Sequence, residues 1–188
     1  MSTNRTFYQS IALLGIATGI LLMIPLIAMQ FTDEIVWTLS DFIFAGGILF
    51  GAGVIYKLVT RKTGDTIYKI AIGFALLAGI FLIWINVAVG IIGSEDNTIN
   101  LLYFGVILVG IIGSFIARFR SQGLALAIFS MAVAQALVAT LALIGGFYQP
   151  FPSTVFHIIA INGFFITLFV ISAFLFRYTA HRNFAIDK

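Results

Sequence analysis

The chain reads as six long apolar segments separated by short polar turns. Apolar runs of about 20 residues with no in/out alternation read as helices about 30 Å long, the thickness of a bilayer's hydrocarbon core. The clearest runs from Asp41 to Arg61, DFIFAGGILFGAGVIYKLVTR, with an acid near one end, glycines in the middle and basic residues at the other. The frame returns from Asn100 to Arg120, opening on an amide, and from His157 to Arg177, opening on an imidazole. Polar turns at Thr32-Asp33-Glu34, Arg61 to Asp65, Gly93 to Thr98, Arg120 to Gly123 and Tyr148 to Ser153 divide the segments. Helices are therefore predicted over residues 7–29, 33–60, 67–92, 99–119, 124–147 and 153–178. Thr32 reads as the cap of the second helix, with Asp33 and Glu34 as its first-turn acids. The expected fold class is all-α: a polytopic membrane protein with six transmembrane helices in one bundle, a single domain over residues 1–188.

Composition strengthens this reading. Hydrophobic residues make up 61% of the chain and charged residues 9%, whereas a soluble domain carries about a quarter charged residues. Lipid admits only helices or closed barrels, because every backbone polar group must be satisfied internally, and the runs lack the alternation of barrel strands. The first segment does not resemble a cleaved signal peptide. Only Arg5 precedes it, its apolar run from Ile11 to Ala28 is long, and no good small-residue cleavage site follows.

Charge orients the bundle. Arg5, Lys57, Arg61, Lys62, Lys69, Arg118, Arg120, Arg177, Arg182 and Lys188 fall on one side of this topology, and Asp33, Glu34, Glu95 and Asp96 on the other. The positive-inside rule places the basic turns and both termini in the cytoplasm. The sequon-like Asn4-Arg5-Thr6 is then cytoplasmic and expected to carry no sugar. A net charge of +3 spread over short loops does not suggest a nucleic-acid partner. The absence of cysteine excludes disulfides, thiol chemistry and iron–sulfur ligation.

Placing Asp41 on Asn100 brings Gly46 onto Gly105, Gly51 onto Gly110 and Arg61 onto Arg120, as a parallel repeat of a helical hairpin would. Any helix that enters on a polar residue and leaves on an arginine gives a similar match, so both readings stand. The glycines carry a plainer message. Gly15 and Gly19, Gly47 and Gly51, and Gly105, Gly110 and Gly113 let helix backbones approach closely, the main source of adhesion between helices in lipid. The contact they serve is either within the bundle or with a docked neighbour.

Among polar residues Asp41 is the most informative. It lies about one turn inside the boundary marked by Trp37, where an unpaired carboxylate costs about 1–3 kcal/mol and normally seeks a bundle interior or wet cavity. Asn86, Asn100, His157 and Asn162 share the outer half of the bundle, and Gln135 lies near its middle. The functional expectation is an outward-facing polar pocket formed by Asp41, Asn86, Asn100, His157 and Asn162, with Asp41 and His157 paired as a cation or proton site. The plainer expectation makes Asp41 a first-turn acid, His157 an interfacial residue and the amides bonds between helices, worth about 0.6 kcal/mol each.

No metal or cofactor is expected. The turn Ser94-Glu95-Asp96-Asn97 offers too few oxygens for calcium, and His157 is the only histidine within a span, which excludes bis-histidine haem in one chain. HExxH, GxSxG and P-loop motifs are absent, so an enzyme is not expected. Two functions fit. The first is a small inner-membrane protein of bacterial type whose pocket binds or passes a small solute or cation. The second is a non-catalytic accessory or sensor subunit whose glycine-rich helices dock another membrane protein or a second copy. The lipid bilayer is a partner in both.

Overall fold

The computed structural model describes residues 2–61, 63–148 and 154–186, and side chains within 8–182 of that range. Most of the turn expected from Tyr148 to Ser153, Lys62, Lys188 and the side chains of Asn4, Arg5 and Thr6 lie outside the described residues. Among the described residues every regular element is helical: α1 (Ser2–Ala28), α2 (Leu39–Thr60), α3 (Thr66–Ala88), α4 (Leu102–Ile116), α5 (Ser121–Ile144) and α6 (Val155–Ile186), with a 3-10 turn at Thr98–Leu101 leading into α4. Six stretches, from Tyr8–Ala28 to Val155–Arg182, are long and apolar enough to cross a membrane. The chain is an all-helical multi-pass membrane protein whose natural solvent is a lipid bilayer.

Helix ends differ from the sequence expectation where local chemistry outweighs hydropathy. The second helix starts at Leu39 rather than Asp33. Thr38 caps it and Asp41 folds back onto Thr38, whereas Thr32 only accepts a hydrogen bond from the Glu34 N–H in the preceding turn (3.1 Å). The reciprocal pairing available at Thr38 makes it the stronger stop signal. Helix α3 ends at Ala88, short of Ile92. Gly90 enters the left-handed region at φ 77° and its N–H bonds back to the Ile85 carbonyl at 3.1 Å. A Cβ there would lie 2.5 Å from the Ser94 carbonyl carbon, so the turn requires glycine. Ile91 and Ile92 consequently form a buried loop instead of a last helical turn. Helix α4 closes through Arg118 and Phe119 at φ 49° and 57°, a conformation that costs a non-glycine residue about 1–2 kcal/mol. Part of that cost is offset by the Tyr68 hydroxyl, which donates to the Phe119 carbonyl at 2.8 Å. Helix α6 continues past Tyr178 to Ile186, and Arg182 in this extension pairs with Asp65 at 2.7 Å.

The chain forms two compact units, Met1–Arg61 and Lys62–Lys188. In the first, α1 and α2 make a hairpin whose close approach falls at Gly46 and Gly53. Added Cβ atoms there would lie 3.2 Å from Leu22 and 2.9 Å from Leu14. No described side chain of α1 is buried, and α2 buries only Ala45 and Thr60.

In the second unit α6 packs between α3 and α5, and α4 packs on α5. Buried α6 positions are Ile158, Asn162, Phe165, Phe169, Ser172, Ala173, Phe176 and Thr179. Those of α5 are Leu124, Ala127, Ile128, Met131, Ala132, Gln135, Val138 and Ala142. Apart from Ala127, Ala132 and Ala173, which widen each stripe, both series alternate steps of four and three, the period that keeps one stripe facing a nearly parallel neighbour. Helix α4 comes close because Gly110 and Gly113 carry no side chain: a Cβ at Gly110 would strike Met131, and one at Gly113 would lie 2.8 Å from Ala127 Cβ. The Asp65–Arg182 and Tyr68–Phe119 contacts set the start of α3 beside the ends of α4 and α6. Arg118, Arg177 and Arg182 therefore mark one end of this unit, with Glu95 and Asp96 in the loop at the other.

Candidate functional site

Asp41 belongs to the first unit and is exposed. Its Oδ2 accepts hydrogen bonds from the Thr38 backbone N–H and the Thr38 hydroxyl, both at 2.7 Å. Thr38 and Ser40 hydroxyls are also 2.7 Å apart. A carboxylate in the first turn satisfies an orphan donor and meets the positive end of the helix dipole. The local sequence Thr38-Leu39-Ser40-Asp41 is sufficient to build this arrangement.

The other candidate amides lie in the second unit and form two groups. The first is a knot between helices. Asn162 of α6 is fully buried, and its Oδ1 accepts from the Tyr103 hydroxyl of α4 at 3.0 Å and from Gln135 Nε2 of α5 at 2.9 Å. Its Nδ2 donates to the Ile158 carbonyl one turn back, at 2.8 Å. One side chain thus joins three helices at a depth where water cannot substitute. Tyr103 and Gln135 were not among the expected pocket residues. Their signal was a polar tip inside an otherwise apolar span, beside the amide of Asn162.

The second group shapes a loop. Asn100 is buried, and its side chain pairs with the backbone of Ile92 through both N–H and C=O (3.0 and 3.2 Å) and with the Ser94 carbonyl (2.8 Å). Its own carbonyl accepts from Asn86 Nδ2 at 3.0 Å, which fastens the end of α3 to the start of the α4 segment. No hydrogen bond joins this pair to the Asn162 knot among the described residues. His157 is exposed in the first turn of α6; its backbone N–H donates to Thr154 Oγ1 at 3.2 Å. Among the described residues no three His, Asp or Glu side chains gather as a metal site.

Three buried acceptor atoms, Asn86 Oδ1, Gln135 Oε1 and Asp65 Oδ2, have no hydrogen-bond partner among the described residues. Each such unmade bond costs about 1–3 kcal/mol. The remaining bonds of both amides are committed to holding helices and a loop together. The groups in the knots are amides and one phenol, so they supply hydrogen bonds rather than proton transfer near neutral pH.

A further polar contact lies at the basic end. Asp65 caps α3, its Oδ1 accepting from the N–H groups of Ile67 and Tyr68 at 2.9 and 3.2 Å as well as from Arg182. Burial pushes its carboxyl pKa upward. The Tyr68 N–H, the Arg182 guanidinium and the Ile67 N–H together outweigh that and hold it below the ordinary carboxylate range. No family model, curated protein or solved structure matches this chain.

Proposed function

We infer that this protein is a non-catalytic membrane subunit: the α3–α6 unit serves as an anchor, and the α1–α2 hairpin docks a helix of a neighbouring membrane protein. The carrying observation is the open glycine face of α2. A Cβ added at Gly47 or Gly51 would meet nothing within 4 Å, and Phe44, Ile55 and Leu58 lie exposed beside it. Glycine in a helix interior costs about 1 kcal/mol relative to alanine. Gly46, Gly53, Gly110 and Gly113 recover that cost through close contacts within the chain, and Gly47 and Gly51 recover it when a second backbone approaches.

The solute-pocket reading has weaker support, because Asp41 is engaged by Thr38 and the buried amides by one another. The distribution of basic residues supports a cytoplasmic placement of both termini, and a bacterial inner membrane suits the short basic turns. The test is photo-crosslinking in native membranes from a reactive residue at exposed position 55, one turn from Gly51, with exposed position 108 as the lipid-facing control. A discrete protein adduct from position 55 alone, lost in Gly47→Leu, is the expected result. Twice the chain mass in that adduct would make the neighbour a second copy. Lipid adducts alone from both positions would overturn the reading.

A further inference from the structure

A groove of about 650 Å³ runs along the outer flank of the α5–α6 seam, at the basic end of the second unit. That volume lies within the range of about 300–1,000 Å³ typical of small-molecule sites. It is bounded by the first turns of α5 and the last membrane turns of α6. Its two ends differ in chemistry. Toward the middle of the span the lining is Leu126, Phe129 and Phe174. One to two turns nearer the helix ends, about 5–10 Å along the axis, it is Gln122, Arg177 and His181. Small side chains at Ala125, Ala173 and Ala180 keep the cleft open where the rest of the seam is filled.

The charges are equally lopsided. Among the described residues no acid lines the groove. Arg182, one residue beyond His181, is bound to Asp65, whereas Arg177 is exposed and has no hydrogen-bond or ion-pair partner among the described residues. Arginine stays charged at any physiological pH and presents a planar fork of donors suited to phosphate. His181, one helical turn further on, and Gln122 across the cleft add hydrogen-bonding groups at the same end.

We propose that this groove is a binding site for one anionic phospholipid, with the headgroup phosphate at Arg177, His181 and Gln122 and the upper acyl chain along Leu126, Phe129 and Phe174. The occupant follows from the pairing of a cation that has no partner among the described residues with an apolar floor inside a transmembrane unit. A soluble anion would leave the floor unused, and a zwitterionic lipid would gain less from Arg177. Basic pockets between membrane helices draw anionic headgroups in this way, with each basic side chain worth roughly a five-fold change in affinity.

Native mass spectrometry of the full chain, released from mixed phosphatidylglycerol and phosphatidylcholine micelles, tests the site. One phosphatidylglycerol should be retained per chain in preference to phosphatidylcholine. Arg177→Gln should weaken retention roughly five-fold. Ala125→Leu with Ala180→Leu should abolish it by filling the cleft without altering charge. Arg118→Gln, which removes an exposed arginine from the same end but outside the groove, should leave retention unchanged. Millimolar inorganic phosphate should not compete. Equal losses in the Arg177 and Arg118 variants would show general attraction to a basic membrane face and overturn the proposal. So would unchanged retention in Arg177→Gln, or full competition by inorganic phosphate. Since Arg177 is exposed and has no partner among the described residues, that variant should retain the fold and remains informative if the double leucine variant does not.

Discussion

Gly51 of α2 and Gly110 of α4 occupy matching places in the recurring frame that opens on Asp41 or Asn100 and closes on Arg61 or Arg120. Around Gly51 there is open space, whereas a side chain at Gly110 would drive into buried Met131. The polar residues that open the two frames also part company: exposed Asp41 caps its own helix, and buried Asn100 stitches a loop to the end of α3. Similar sequence therefore serves two purposes. At Gly51 the glycine is left free and at Gly110 it is consumed by the packing of α4 on α5, whereas the other matched pair runs the opposite way: a Cβ at Gly46 would lie 3.2 Å from Leu22 and one at Gly105 would meet nothing within 4 Å. What distinguishes them is whether a helix of the same unit packs at that position, since lipid and protein interiors are about equally apolar and neither draws a glycine by itself.

The sharpest way to break this comparison is to make the same substitution in both places. Gly110→Leu should cost about 3 kcal/mol, because Met131 must leave a filled seam. Gly51→Leu should change stability by less than about 1 kcal/mol, in the stabilising direction through helix propensity. Thermal unfolding in detergent, followed by near-ultraviolet circular dichroism, reads both. Equal losses would mean that the hairpin is packed as tightly as the four-helix unit.

A smaller effect tests the knot. Asn162→Ala should destabilise by about 2 kcal/mol, since it strands the Tyr103 hydroxyl and the Gln135 amide without an acceptor. Gln135→Leu should cost less, because it also removes the unpartnered Oε1. If Gln135→Leu proves the more damaging of the two, Asn162 is not the centre of the knot.

The smallest expected effect concerns pH. The folded-state pKa of Asp65 lies below its unfolded value, so its contribution is fully present above about pH 4 and is lost as pH falls through the lowered folded value. Melting temperature should therefore fall on acidification from pH 5 to pH 3, and by less in Asp65→Asn. Identical pH profiles would remove Asp65 from the groups that stabilise this end of the unit.

Part of this architecture was plain in the linear pattern. Each run of apolar residues matched a spanning helix because a spanning segment must cover a fixed hydrocarbon thickness. The helix ends were less plain: Thr32 and Thr38 both look like caps, and Thr38 prevails because Asp41 lies three residues on to answer it. Gly90 ended α3 early for a reason visible only when the chain doubles back, namely the Ser94 backbone against its Cα hydrogens. Of the candidate amides, Asn100 and Asn162 announced themselves as polar groups in apolar surroundings. Their partners did not, since a hydrogen bond across three helices has no signature in any one of them.

Hydropathy and segment length alone settled that the chain crosses a membrane as helices, because the cost of unpaired backbone in hydrocarbon leaves little else. Which side of each helix turns inward was decided by packing. Phe164 and Phe174 face outward while Phe165 and Phe176, one and two residues away, are buried. A phenyl ring gains nearly as much from lipid as from protein, so composition cannot sort them. The sorting comes from helices that interlock at every third or fourth residue, and from the few amides that must find one another once water is gone.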